Sequence, residues 1–237
     1  MVMFYFSGTG NSKYIAELFC QKMDATCCSI EADIHFGALI KSAETIGFCY
    51  PIYGSRIPRI MREFVTKYRM SLENKKIIIF CTQWLFSGDG ARVFTDLFPR
   101  DFMQVIYAEH FLMPSNICNV SLLPLASEGK LQKYRRRSER KMQLICDRVR
   151  KGVVKKRGFN PISRLLGLFQ GVFMPAIERN TSDKVWIDED CDNCLRCVAI
   201  CPMNNFESKD DQIQTKDNCI ICYRCINDCP QKAITIV

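Results

Sequence analysis

From its first residue the chain repeats one pattern: a short apolar run, a polar turn, then apolar positions at helical spacing. Residues 1–6 (Met-Val-Met-Phe-Tyr-Phe) are apolar and aromatic-rich, which predicts a strand. A turn over Ser7–Ser12 follows, then a helix over Lys13–Met23 with Ile15, Leu18 and Phe19 on one face. The alternation continues with a short strand at Ala25–Ile30, a weak helix at Ala32–Lys41, a strand at Thr45–Tyr50 and a helix at Arg59–Tyr68. Lys76–Thr82 is apolar through its centre, as in a parallel strand buried on both faces. Gly90–Leu97 reads as helical and Phe102–Ala108 as the fifth strand. Strands alternating with helices predict an α/β fold, a doubly wound five-stranded parallel sheet. Such sheets bind ligands beyond the carboxyl ends of their strands, where the strand order reverses.

The pattern changes after residue 130. Between Lys130 and Arg157 lie thirteen Lys or Arg residues against Glu139 and Asp147 alone. Leu131, Tyr134, Met142, Ile145 and Val149 run through them at helical spacing, so the apolar side should lie on the sheet with the basic side outward. That basic side reads as a solvated face, a dock for an acidic redox partner, or a contact with membrane or nucleic acid. No nucleic-acid motif accompanies it. Pro161–Pro175 then carries Ile162, Leu165, Leu166, Phe169, Val172 and Phe173 on one face. The expectation is a helix packed between two domains, with an in-plane membrane helix as the rival. Glu178–Asp183 reads as a linker.

The last fifty residues hold the most specific signal. Cys191, Cys194, Cys197 and Cys201 are spaced C-x2-C-x2-C-x3-C-P, and Cys219, Cys222, Cys225 and Cys229 repeat the spacing. A zinc ribbon wants pairs of cysteines, often with histidine, and nothing at the N-terminus reads as an export signal that would favour disulfides. The two runs closely resemble those of bacterial two-cluster ferredoxins, over roughly residues 184–237. In that family the fourth cysteine of each run ligates the other cluster. The resemblance therefore implies one 4Fe–4S cluster on Cys191, Cys194, Cys197 and Cys229, and a second on Cys219, Cys222, Cys225 and Cys201.

Ser7-Gly8-Thr9-Gly10-Asn11-Ser12, between a strand and a helix, has the makings of a phosphate cradle: inward backbone N–H groups, hydroxyls and a helix N-terminus. It lacks the Walker lysine and does not fit the dinucleotide fingerprint. The loop resembles the flavodoxin phosphate loop, and residues 1–150 resemble flavodoxins as a whole. The resemblance implies FMN, with phosphate contacts from Ser7, Thr9, Gly10, Asn11 and Ser12. It implies ring contacts from Pro51, Ile52, Tyr53 and Gly54 after the third strand, and from Thr82, Gln83, Trp84, Phe86 and Gly88 after the fourth. Tyr53, Trp84 and Phe86 are the stacking candidates. One departure stands out: Arg56 and Arg59, with Asp89 the only acid in either ring loop, replace the acidic surround of long-chain flavodoxins. If they lie near the ring, they favour its reduced anion.

Together these features resemble the "EFR-type" fusions of flavodoxin and ferredoxin domains found in anaerobes. The implied domains are 1–152 (flavodoxin-like, FMN), 153–183 (amphipathic helix and linker) and 184–237 (ferredoxin). The implied role is electron transfer between FMN and two clusters, with delivery to a partner oxidoreductase; the alternative is an FMN-dependent reductase acting on its own small substrate, with the clusters as electron input.

Charge and cysteine count add modest constraints. The formal charge of +8 falls to about +2 once two clusters and a flavin phosphate are counted, so overall charge decides nothing. Seven cysteines lie outside the runs (Cys20, Cys27, Cys28, Cys49, Cys81, Cys118 and Cys146) and are expected to fill core as small hydrophobes. So many thiols suggest a reducing, oxygen-poor cytoplasm. Only His35 and His110 are present, and neither adjoins a nucleophile, so hydrolytic catalysis finds no support.

Overall fold

In the computed structural model, residues 1–118, 126–181 and 183–236 are described. They fall into two compact units: Met1–Pro114 with Ala126–Val172, and Ser115–Leu125 with Phe173–Val237.

The first unit is built on a six-stranded sheet of order β2-β1-β3-β4-β5-β6, parallel at every pairing. Its strands are β1 (Val2–Tyr5), β2 (Thr26–Ser29), β3 (Thr45–Pro51), β4 (Lys76–Gln83), β5 (Gln104–Leu112) and β6 (Lys155–Lys156). Strand order reverses between β1 and β3, so the loops leaving these strands open at the switch point. Helices α1 (Asn11–Met23), α2 (Phe36–Ser42), α3 (Arg59–Lys67) and α4 (Glu128–Arg150) complete the crossovers. Gly90–Leu97 forms a 3-10 turn at Arg92–Leu97 instead of an α-helix.

Burial on both faces explains the apolar character of β4, whose residues Ile77 to Cys81 are all inaccessible. On one face Phe4, Phe36 and Phe64 pack ring against ring at 4.9–5.8 Å. On the other, Phe80 sits edge-on to Phe19 and Phe111, within a core closed by Met142, Ile145 and Cys146 of α4. Of the seven additional cysteines, Cys20, Cys49, Cys81 and Cys146 are buried, while Cys27, Cys28 and Cys118 are partly exposed.

The sixth strand departs from the expected five. It has two residues, both lysine, and no hydrophobic pattern announces it. An ion cluster accompanies it: Glu109, within β5, is inaccessible and pairs with Lys141 (3.1 Å), Lys155 (2.7 Å) and Arg157 (3.3 Å). Three cations of the basic stretch are thus committed to one buried carboxylate. Burial disfavours ionisation of Glu109, but the Lys141 ammonium and the Lys155 bond outweigh it and hold the carboxyl down at about 2.

Helix α5 (Pro161–Gly171), opened by the Asn160 side chain accepting from Ser163 N–H at 2.8 Å, belongs to the first unit. Its apolar stripe does not pack into that unit. Leu165 and Phe169 are 69% and 77% exposed, and the buried residues of the helix are Gly167 and Gly171. Helix α6 (Met174–Thr181) occupies most of the span expected to be linker. Ser182, within that span, and Val237, the last residue of the expected ferredoxin domain, lie outside the described residues.

The second unit contains two small antiparallel pairs: β7 (Val185–Ile187) with β10 (Ile234–Ile236), and β8 (Phe206–Lys209) with β9 (Gln212–Thr215). The β8–β9 turn places Asp210 and Asp211 both at positive φ, as a two-residue type I′ hairpin requires. Between these pairs run the short helices α7 (Arg196–Ile200) and α8 (Arg224–Asp228). No described helix is long and apolar enough to cross a membrane.

Candidate cofactor sites

The first loop leaves β1 and enters α1 through Gly10, which has φ of 98° and serves as the N-cap. Ser7 Oγ accepts from Gly10 N–H at 3.0 Å, which folds the loop back on itself. No side chain caps α1 and its first turn carries no acid, so the positive end of the helix faces an exposed Thr9–Gly10 tip. Ser12 lies deeper than the cradle reading supposes. It is 1% exposed, and its hydroxyl pairs at 2.7 Å with that of Thr82 on β4. Asn11 donates from Nδ2 to Pro114 O at 3.0 Å.

The second loop is a tight turn. Tyr53 and Arg56 exchange backbone hydrogen bonds of 3.1 and 2.9 Å, with Gly54 and Ser55 both at positive φ between them. Ile52 N–H donates to Thr82 O at 2.9 Å, and this bond ties the turn to the third loop. There Gln83 has a buried Oε1 with no hydrogen-bond donor among the described residues. Trp84 and Phe86 stand 39% and 52% exposed, and Tyr53 is half-buried. Three loops, an uncapped helix N-terminus, an orphaned acceptor and uncovered aromatic rings thus meet at the switch-point edge of the sheet. These residues fit a planar, phosphate-bearing group.

Helix α5 fastens the second and third loops together. Gln170 Oε1 accepts from Ser55 Oγ at 2.6 Å and from Gly88 N–H at 3.1 Å, while its Nε2 donates to Phe86 O at 3.4 Å. Gly88 and Gly167 meet backbone to backbone: a Cβ on Gly88 would come within 2.3 Å of Gly167 N. These α5 residues were not anticipated. The four-residue spacing of Gly167 and Gly171 was the available signal, since it puts two missing side chains on one helix face.

Two charged residues of the loops have partners within the first unit. Arg56 Nε donates to Gly171 O at 3.3 Å, at the C-terminal end of α5. Asp89 is 1% exposed beneath Gly167 and pairs with Arg92 at 2.7 Å. Arg56 and Asp89 thus take part in the α5 dock.

In the second unit the two cysteine runs share one backbone recipe. Asn193 and Leu195 have φ of 55° and 59°, and Ile221 and Tyr223 at the matching places have 57° and 60°. A β-branched residue such as Ile221 rarely adopts this region, and strain of this kind collects at ligand sites. The turns bring amides to sulfur: Ile221 N–H reaches Cys219 Sγ and Asn205 N–H reaches Cys201 Sγ, both at 3.3 Å. Arg196 Nε donates to Asp228 Oδ2 at 2.6 Å and Arg224 Nη1 to Ile200 O at 2.8 Å. Each run thereby grips the helix that precedes the other run's last cysteine.

This crossing sorts the cysteines. Cys191, Cys194 and Cys197 line one cavity with Cys229, and Cys201 is not part of its lining. Burial pushes the Cys222 thiol up to about 12, and nearby Cys219 and Cys201 push it the same way. Cys225 is raised by burial and by Cys222, Cys219 and Cys201. Among the described residues no three Cys, His, Asp or Glu side chains converge on a single-ion site. Thiolates around a cube each take a different iron and need no such convergence.

A doubly wound sheet with three loops at its switch point, joined to paired four-cysteine turns, defines a modular redox protein. The chain belongs to the flavodoxin family: residues 2–152 match the model described as a flavodoxin domain. Residues 190–234 match a 4Fe-4S dicluster domain. Together these domains define an electron-transfer protein of flavin and iron–sulfur chemistry. Similar solved structures include a WrbA-like flavodoxin from Agrobacterium tumefaciens, with 19% identity over 60% of this chain and 94% of that one, and a TM-score of 0.42. General stress protein 14 from Treponema denticola, in complex with FMN, gives 15%, 62%, 96% and 0.45. Two-electron reduced Megasphaera elsdenii flavodoxin gives 21%, 46%, 85% and 0.41. No curated protein matches the chain.

Proposed function

We propose that the protein binds one FMN in its three switch-point loops and two 4Fe–4S clusters in its cysteine turns, and delivers electrons to a partner oxidoreductase. The observation that carries this reading is the sorting of Cys229 into the cavity of the first run and of Cys201 toward the second. Bound FMN supplies one- or two-electron chemistry and the clusters one-electron chemistry, so a chain holding both converts between the two kinds of donor.

The residues have distinct duties. Thr9, Gly10 and the first turn of α1 hold the phosphate with backbone donors and helix charge. Gln83 Oε1 offers its unused acceptor to a ring N–H. Tyr53, Trp84 and Phe86 supply aromatic surface. Ser7 and Ser12 act through the loop, one closing it on Gly10 and the other anchoring it to Thr82. The cysteines set cluster position, and the amides at Cys201 and Cys219 stabilise charge on sulfur.

Anaerobic reconstitution of the full chain tests the reading. About eight irons per chain and a flavin that chromatographs as FMN are expected; FAD, or no flavin, would sink the loop assignment. Replacing Cys229 with Ala should remove about four irons or more and alter both EPR signals. Retention of all the iron with two unchanged signals would refute the crossed ligation.

A further inference from the structure

The apolar stripe of α5 faces away from the unit that holds the helix, and the chain around it has an unusual charge pattern. At about 100° per residue, Ile162, Leu165, Leu166, Phe169 and Val172 occupy one arc. Ser163, Gly167, Gln170 and Gly171 occupy the opposite side, and that side is fastened to the two loops. The outer side chains are 40–77% exposed, and Val153 and Val154, just upstream, are 46% and 58% exposed. No Asp or Glu occurs from Arg148 to Ile177, while seven Lys or Arg do. Lys155 and Arg157 are committed to Glu109. Arg148, Lys151, Lys156 and Arg164 are exposed and form no ion pair among the described residues.

We infer that this face seats the protein on the surface of an anionic lipid bilayer, with α5 lying in the plane and Phe169 at the centre of the buried arc. Three features select this occupant. The ridge is convex, aliphatic and aromatic, and large apolar faces of this kind enter the headgroup boundary. The segment leading into it, Arg148 to Arg164, carries cations and no acid, which matches the negative sign of a lipid surface. A protein partner is selected by a pattern of attractive and repulsive groups, and a run without a single acid encodes only sign. The glycine underside lets the helix dock without consuming its apolar residues, so the stripe remains available.

The test is co-sedimentation of the reconstituted full chain with vesicles, either phosphatidylcholine alone or with about one third phosphatidylglycerol. The wild type should bind the anionic vesicles at least about tenfold more tightly than the neutral ones. Phe169→Asp should cut that binding about tenfold or more, with an unchanged thermal midpoint because the side chain is 77% exposed. Lys156→Glu with Arg164→Glu should bring anionic binding down toward the neutral level. Equal binding by wild type and Phe169→Asp, or no binding by wild type, overturns the inference. So does sedimentation velocity without lipid that shows a dimer which Phe169→Asp converts to monomer, because the stripe would then be covered by a second copy.

Discussion

Replacing Gly167 with Ala tests how α5 is held. A Cβ there would lie 1.6 Å from Asp89 Oδ1 and 2.2 Å from its Cγ. Asp89 cannot swing aside freely: it is inaccessible and pinned to Arg92, which is in turn bound to Asp96 at 2.7 Å. Two responses are open. If Asp89 yields, overpacking costs about 1–3 kcal/mol. If α5 lifts, the bonds of Gln170 to Ser55, Gly88 and Phe86 and that of Arg56 to Gly171 are lost, at about 1 kcal/mol each. The gain in helix propensity, about 1 kcal/mol, offsets part of either cost. The net loss is then about 0–2 kcal/mol if Asp89 yields and about 3 kcal/mol if the helix lifts, the latter corresponding to roughly a hundredfold faster exchange of the α5 amides. Hydrogen exchange by mass spectrometry on the full chain reads this directly, with Gly129→Ala as the control, since a Cβ at Gly129 meets nothing within 4 Å. If α5 amides in Gly167→Ala exchange at the wild-type rate, the close packing of Gly167 on Asp89 is not what holds the helix.

Further outcomes follow from three buried polar groups. Glu109→Gln leaves Lys141, Lys155 and Arg157 without their common anion and should destabilise the first unit by about 2–4 kcal/mol in denaturant titration; a loss under half of that would mean the cations simply turn to water. Burial, followed by the Arg157 charge, lowers His110 to about 4 from its ordinary 6.5, and its Nε2 accepts from Ala91 N–H at 3.2 Å. Its neutral form is therefore favoured in the fold, so the contribution is complete above pH 6.5 and is lost as pH falls from 6.5 to 4, at about 1.4 kcal/mol per pH unit. Thermal midpoints of wild type and His110→Gln across that window should converge on acidification, and parallel curves would show that another group dominates. The depressed Glu109 carboxyl adds stability above about pH 4.5 that disappears as pH falls toward 2, so wild type and Glu109→Gln should approach each other in that lower window. Ser12→Ala strands the Thr82 hydroxyl in the core and should cost about 1–3 kcal/mol; recovery in Ser12→Ala with Thr82→Val would attribute the loss to that pair.

Strands β1, β3, β4 and β5 were legible because burial writes apolar runs into them, and the loops after β1, β3 and β4 followed from them. The cysteine turns were legible because ligand spacing is local. Strand β6 was not, since two lysines paired to Tyr107 and Ala108 carry no apolar pattern; the ionic grip of Glu109 depends on residues 109, 141, 155 and 157 meeting in space. Pro161 announces the start of α5, which ends at Gly171 and does not run on to Pro175, and its orientation inverts the usual inference. An amphipathic pattern identifies two faces and assumes the apolar one turns inward. Here Gly167 and Gly171 allow such close backbone approach that the glycine side docks instead. The same contacts bring in Arg56 and Asp89, both within the ring loops, to hold the helix.

The manner in which α5 is fastened has a thermodynamic consequence. Its dock rests on glycine contacts and polar bonds, while its large apolar side chains are already in water. Releasing the helix would therefore expose little new hydrocarbon. Unfolding heat capacity and denaturant m-values scale with newly exposed surface, so detachment of α5 should contribute almost nothing to either. A calorimetric trace or urea curve would record the same protein whether the helix is seated or free, although the two loops it bridges would have lost their common clamp.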